Sequence, residues 1–115
     1  MKRELKDYIL DILNAINSVE MFTKECDFDS FSRDEKTKFA VMYAIQIIGE
    51  ASNKIPIDLQ NKYPQIPWKN VKGMRNLIVH EYFGVNLLVI WNTINNDLPS
   101  LKPVIEDILT DLING

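Results

Sequence analysis

With 115 residues, 46% of them hydrophobic and 25% charged, the chain has the balance of one ordinary folded domain rather than of a disordered segment. A net charge of −3 excludes a protein that holds nucleic acid through its global field, so any RNA or DNA contact has to come from a local basic patch. The single cysteine, Cys26, excludes an intrachain disulfide, and with only four glycines and five prolines long periodic segments dominate, which points to an all-α fold.

The first helix is predicted from about Lys2 to Cys26. Leu5, Ile9, Ile12, Ile16 and Val19 alternate +4 and +3, with Tyr8, Leu13 and Phe22 widening the face, so one side of this helix is dry. The N-terminus carries no leader pattern and no apolar run is long enough to span a bilayer, so the expected location is the cytoplasm. Asp27 to Ser32 reads as a polar break containing Phe28 and Phe31. Ser32 and Glu35 have the spacing of a capping box, which starts the second helix at Arg33.

That second helix, about 33–54, is charged in its first turns. From Phe39 to Ala51 it is apolar on nearly every side, with Tyr43, Gln46 and Glu50 as exceptions, and such a helix belongs at the centre of a bundle. Ile55-Pro56 ends it, residues 57–63 suit a short helical turn, and Pro64-Gln65-Ile66-Pro67 is a rigid connector. A third main helix is predicted over 68–83, with Pro67 suited to its first turn and Gly84 as its C-terminal cap.

In the last segment, 85–113, Trp91, Ile94, Leu98, Leu101, Ile105, Ile108 and Leu112 keep the alternation although Pro99 and Pro103 lie between them. Two separate helices have no reason to stay in register. The pattern therefore predicts one long helix, kinked near Pro99, with both prolines off the buried seam; a break at Leu98-Pro99-Ser100 also satisfies the local rules. The expected architecture is an antiparallel up-and-down bundle of four main helices in a single domain over 1–115.

The chemistry concentrates in 72–82, which holds the only histidine, His80. Trp68, Val71, Arg75, Ile78 and Tyr82 fall on one helical face, and an arginine in such an apolar seam costs stability unless something anionic meets it. Glu50 is the candidate that orients or neutralises Arg75. A second stripe reads Gly73, Asn76, His80, Gly84, and each glycine costs roughly 1 kcal/mol against alanine in a helix. Their presence points to a close approach to the backbone beside the histidine.

One histidine and one cysteine make no zinc site, and no nucleotide-binding loop or nucleophile elbow occurs. His80 is suited to give or take a proton near neutrality. Arg75 is suited to hold a phosphate and stabilise charge on it, and Asn76 to fix the imidazole tautomer or bind a phosphate oxygen. Lys69 and Lys72 form a basic ramp leading to Arg75. These parts suit RNA cleavage without metal, by attack of a ribose 2′-hydroxyl on its neighbouring phosphate.

Arg75 and His80 lie about 140° apart around a regular helix, and the reaction needs an acid as well as a base. Both conditions are met if two chains pair along the Gly73/Asn76/His80/Gly84 stripe and share one cleft. The same residues also fit a plainer reading. A histidine near a helix C-terminus serves as a dipole partner or a satisfied core residue, and Arg75 as a structural arginine paired with Glu50.

The run Arg75-Asn76-Leu77-Ile78-Val79-His80 resembles the Arg-polar-x3-His signature of HEPN domains, a superfamily of small helical ribonucleases. Its continuation to Tyr82 is similar to the Arg-x4-His-x-Tyr motif of the HepT-like toxins. Ile47-Ile48-Gly49-Glu50-Ala51, the connector through Trp68, and Gly73-Met74-Arg75-Asn76 resemble the same family in order and spacing, over essentially the whole chain. The resemblance implies a helical homodimer with the motif at its interface and metal-independent endoribonuclease activity. It also implies a minimal nucleotidyltransferase antitoxin (MntA-like) that transfers AMP to Tyr82. A catalytically silent HEPN module, binding only a nucleotide or the nucleotidyltransferase, has the same sequence pattern.

Overall fold

The computed structural model describes residues 3–80 and 86–115, and for 77–80 the backbone alone. All regular structure among the described residues is helical: α1 (Leu5–Thr23), α2 (Phe28–Arg33), α3 (Glu35–Ser52), α4 (Ile57–Lys62), α5 (Trp68–His80), α6 (Leu87–Asn92), a π-helical turn (Thr93–Asp97) and α7 (Leu98–Asn114). They form the expected helical bundle. None of these helices is long and apolar enough to cross a membrane.

The apolar stripe of α1 behaves as its spacing requires. Ile9, Ile12, Ile16 and Val19 are buried, and each fully buried isoleucine contributes roughly 1.5–3 kcal/mol. α1 packs on both α3 and α7, and α3 also receives α5. Thus α3 lies between α1 and α5, and the candidate motif on α5 is carried by α3.

Three local expectations are corrected. The segment 27–32 is not a break: it forms α2, capped by the Asp27 carboxylate, which accepts from the Ser30 backbone N–H at 2.8 Å. Two aromatic residues hold this helix to the chain's second half, with Phe31 fully buried and its ring 5.2 Å from that of Trp91, and Phe28 edge-on to the same indole at 6.1 Å. The Ser32/Glu35 box does not form either. The Ser32 hydroxyl donates to the Asp29 carbonyl, and Asp34 caps α3 by accepting from the Thr37 backbone N–H at 3.2 Å. Aspartate wins because its carboxylate reaches the orphan donors of the first turn while α2 occupies Ser32.

The third correction concerns the surroundings of α3. Val41, Ala44, Ile45, Ile48, Gly49 and Ala51 are buried, but Phe39 is 49% and Tyr43 67% exposed. The helix is therefore not buried all round: the side that carries Phe39 and Tyr43 is open. The bare side opens into a groove toward α1, floored by Ala15, Ser18, Ala40 and Ala44 and walled by Phe22 and Tyr43.

The two prolines of the last segment do not interrupt its helical run. Helical structure continues from Leu87 to Asn114 through the π turn, where the Leu98 N–H bonds to the Thr93 carbonyl five residues back. The wider turn falls just before Pro99, where the missing N–H would otherwise break the i→i−4 ladder. Ile94, Leu98, Leu101, Ile105 and Ile108 are buried, and both prolines face solvent as their spacing predicts.

Candidate functional site

The start of α5 is fixed by the connector before it. The Trp68 indole N–H lies 3.1 Å from both the Gln60 and Tyr63 carbonyls, and the buried Gln60 amide donates to the Ile55 carbonyl at 2.8 Å. Tyr63 in turn donates its hydroxyl to the Asp111 carboxylate on α7, and that bond raises the phenol above its ordinary pKa. The Pro67 carbonyl accepts the first helical bond, from the Val71 N–H at 3.0 Å. The proline's missing donor costs nothing at that position.

From this anchor α5 turns Trp68 and Val71 into the core. Arg75 follows on their seam but is only half-buried, at the edge where α5 meets α3. What meets it there is not an anion. Gly49 of α3 lies directly beneath it: a Cβ built on Gly49 would stand 2.7 Å from the Arg75 Cβ and 2.9 Å from its backbone nitrogen. Glu50, expected to pair with Arg75, is exposed and accepts from the Gln46 amide at 3.4 Å. Among the described residues Arg75 makes no ion pair. The seam tolerates the arginine because the residue is only half-buried there and the missing side chain at Gly49 leaves room for its Cβ.

Lys69 and Asn76 are exposed and Lys72 is half-buried, all on the helix that carries Arg75. Gly73 lies on the same helix, and an added Cβ there would meet nothing within 4 Å among the described residues. The backbone of His80 closes α5. Its side chain lies outside the described residues, as do Tyr82 and Gly84 entirely. The structure therefore brings Arg75, Asn76, Lys69, Lys72 and Gly73 onto one helix and sets Gly49 of α3 against it, a residue to which the sequence pattern assigns no role at the site. A glycine inside an otherwise apolar helix was the signal that could have found it.

A family model described as HepT-like, "Ribonuclease HepT-like", matches residues 12–108. The chain belongs to the ribonuclease HepT-like family. Among its relatives, a Thermococcus cleftensis protein named "Probable ribonuclease HepT" is 50% identical over 102 residues, covering 89% of this chain and 93% of the relative. A Methanocaldococcus jannaschii protein named "Putative RNase" is 40% identical over 111 residues, covering 96% of each. No solved structure matches. The match contains α2 to α6 whole, including the α3–α5 pair that carries the Arg75–His80 segment of this ribonuclease HepT-like chain.

Proposed function

We propose that the protein is a toxin-type, metal-independent endoribonuclease whose active site is shared between two copies of the chain. The observation that carries this reading is Arg75, held at the α3–α5 boundary without an acidic partner among the described residues and flanked by Lys69 and Lys72. A guanidinium so placed is available to a phosphate. The relatives named as ribonucleases support the same chemistry.

In the proposed reaction the His80 imidazole of one copy takes the proton from a ribose 2′-hydroxyl. The oxygen attacks the adjacent phosphorus, Arg75 stabilises the added charge, and Asn76 holds the imidazole or a phosphate oxygen. The P–O5′ bond breaks, and the imidazolium of the second copy gives its proton to the leaving oxygen. The products are a 2′,3′-cyclic phosphate and a 5′-hydroxyl.

Two features support a second copy. Gly73 has open space where a chain or an RNA backbone can approach. The outer face of α3 leaves Phe39 and Tyr43 bare, beside the groove walled by Phe22. Exposed aromatic residues in such a cluster mark an interaction surface.

We assign the partner by family as a minimal nucleotidyltransferase antitoxin acting in the cytoplasm. In that reaction the Tyr82 phenol oxygen attacks the α-phosphorus of ATP and pyrophosphate leaves. The attached AMP carries negative charge toward the phosphate site and excludes RNA by repulsion and bulk.

The test is cleavage of RNA by the purified chain in a chelator. Wild-type protein is expected to leave cyclic-phosphate and 5′-hydroxyl ends, and His80→Ala to cut at least about 100-fold more slowly. Undiminished cutting by His80→Ala rejects the assignment.

A further inference from the structure

We propose that Gly49 is the positioning residue for the Arg75 guanidinium, an inference that rests on the ribonuclease reading above. Three atoms define the contact. A Cβ at position 49 would stand 2.7 Å from the Arg75 Cβ, 2.9 Å from its backbone nitrogen and 3.3 Å from its Cα. Carbon atoms in ordinary contact are about 3.5–4.0 Å apart. None of the three can rotate away, because two are backbone and the Cβ is fixed to it. Any side chain at 49 therefore has to move α5 off α3.

Backbone freedom does not explain the glycine, since no described glycine has a positive φ. Position 49 is buried and helical, where glycine is the poorest helix former after proline. What it provides is contact between the two helices at the residue that carries the candidate phosphate-binding group. The consequence is directional. With no side chain at position 49, the Arg75 backbone and Cβ sit directly against α3, so the α3–α5 separation sets the point from which the arginine side chain starts. A methyl group at 49 shifts that point while leaving the guanidinium, the imidazole and the lysines chemically intact.

The experiment compares steady-state RNA cleavage by wild type, Gly49→Ala and Ile45→Val at a temperature where all three are folded. Ile45→Val trims the same helix in the core and serves as the stability control. Gly49→Ala is expected to lower kcat about 10- to 100-fold with KM changed less, because misplacement by an ångström or less is costly in a positioned site. Ile45→Val is expected to lower the melting temperature and leave kcat unchanged. If Gly49→Ala cuts as well as Ile45→Val, the positioning role is overturned while the ribonuclease reading stands. A wild type that does not cut overturns both.

If Gly49→Ala does not fold, a crystal structure of the wild type is the second measurement: an α3–α5 separation that would leave a Cβ at position 49 more than about 3.5 Å from the Arg75 backbone overturns the proposal, and the closer approach described above supports it.

Discussion

Gly49 and Gly73 are both glycines inside helices, both near the arginine of the motif, and they are there for opposite reasons. At Gly49 a methyl group meets Arg75 at 2.7 Å, whereas at Gly73 it meets nothing within 4 Å among the described residues. The first glycine is explained by the chain's own fold. The second is not, since alanine would fit the space and make a better helix. A residue that weakens its own helix, with no constraint on it among the described residues, is the natural place to test for something outside the chain. The α3–α5 contact thus belongs to the folded unit, and under the proposed function the opposite face of α5 is where a second copy or RNA approaches.

The sharpest way to break this contrast is to place alanine at each glycine and follow stability. Gly49→Ala is expected to cost about 1–3 kcal/mol through overpacking of the α3–α5 contact. On a chain of this size that lowers the midpoint of thermal unfolding by several degrees. Gly73→Ala is expected to move the other way, gaining up to about 1 kcal/mol at protein concentrations where the chain is monomeric. In sedimentation the same Gly73→Ala chain should self-associate more weakly and cut RNA more slowly, because the added methyl occupies the proposed approach. Destabilisation by both variants would erase the distinction, and an unchanged association and cleavage rate for Gly73→Ala would show that nothing approaches that position.

The pair also shows what a sequence can and cannot disclose. The periodicity of α1 and of the 87–114 run was legible because burial of a stripe depends only on spacing, and Pro99 and Pro103 obeyed it. The break at 27–32 misled because short helices are set by caps and tertiary contacts: Phe31 is buried on Trp91, sixty residues on. Arg75 was legible as an arginine in an apolar seam, but its neighbour was misread. Charge logic favoured Glu50, which faces water beside Gln46, and the real contact is steric, through Gly49. Spacing reports which face a residue occupies; it does not report how closely two helices approach, because that distance depends on the side chain that is missing. Tyr82 and Gly84 lie outside the described residues, and the readings placed on them rest on the motif alone.

The smallest expected effect isolates the α3–α5 contact from the rest of α3. Asp34 caps the start of that helix, and its hydrogen bonds from the Thr37 hydroxyl and backbone N–H hold its carboxyl below the ordinary aspartate pKa. A carboxyl depressed in the folded state stabilises the fold above its unfolded pKa of about 3.9, and that contribution is lost as pH falls through the lower, folded value. Asp27, held low by Ser30 at the start of α2, loses its contribution over the same range. Asp34→Ala should therefore lower the melting temperature slightly at neutral pH, and wild type and variant should converge as the pH drops below about 3.9. RNA cleavage at neutral pH should be unchanged, because the cap lies at the far end of α3 from Gly49 and a helix frayed at one end keeps its packed end in place. A fall in cleavage comparable to that of Gly49→Ala would mean that Arg75 responds to the whole of α3 and not to the single residue beneath it.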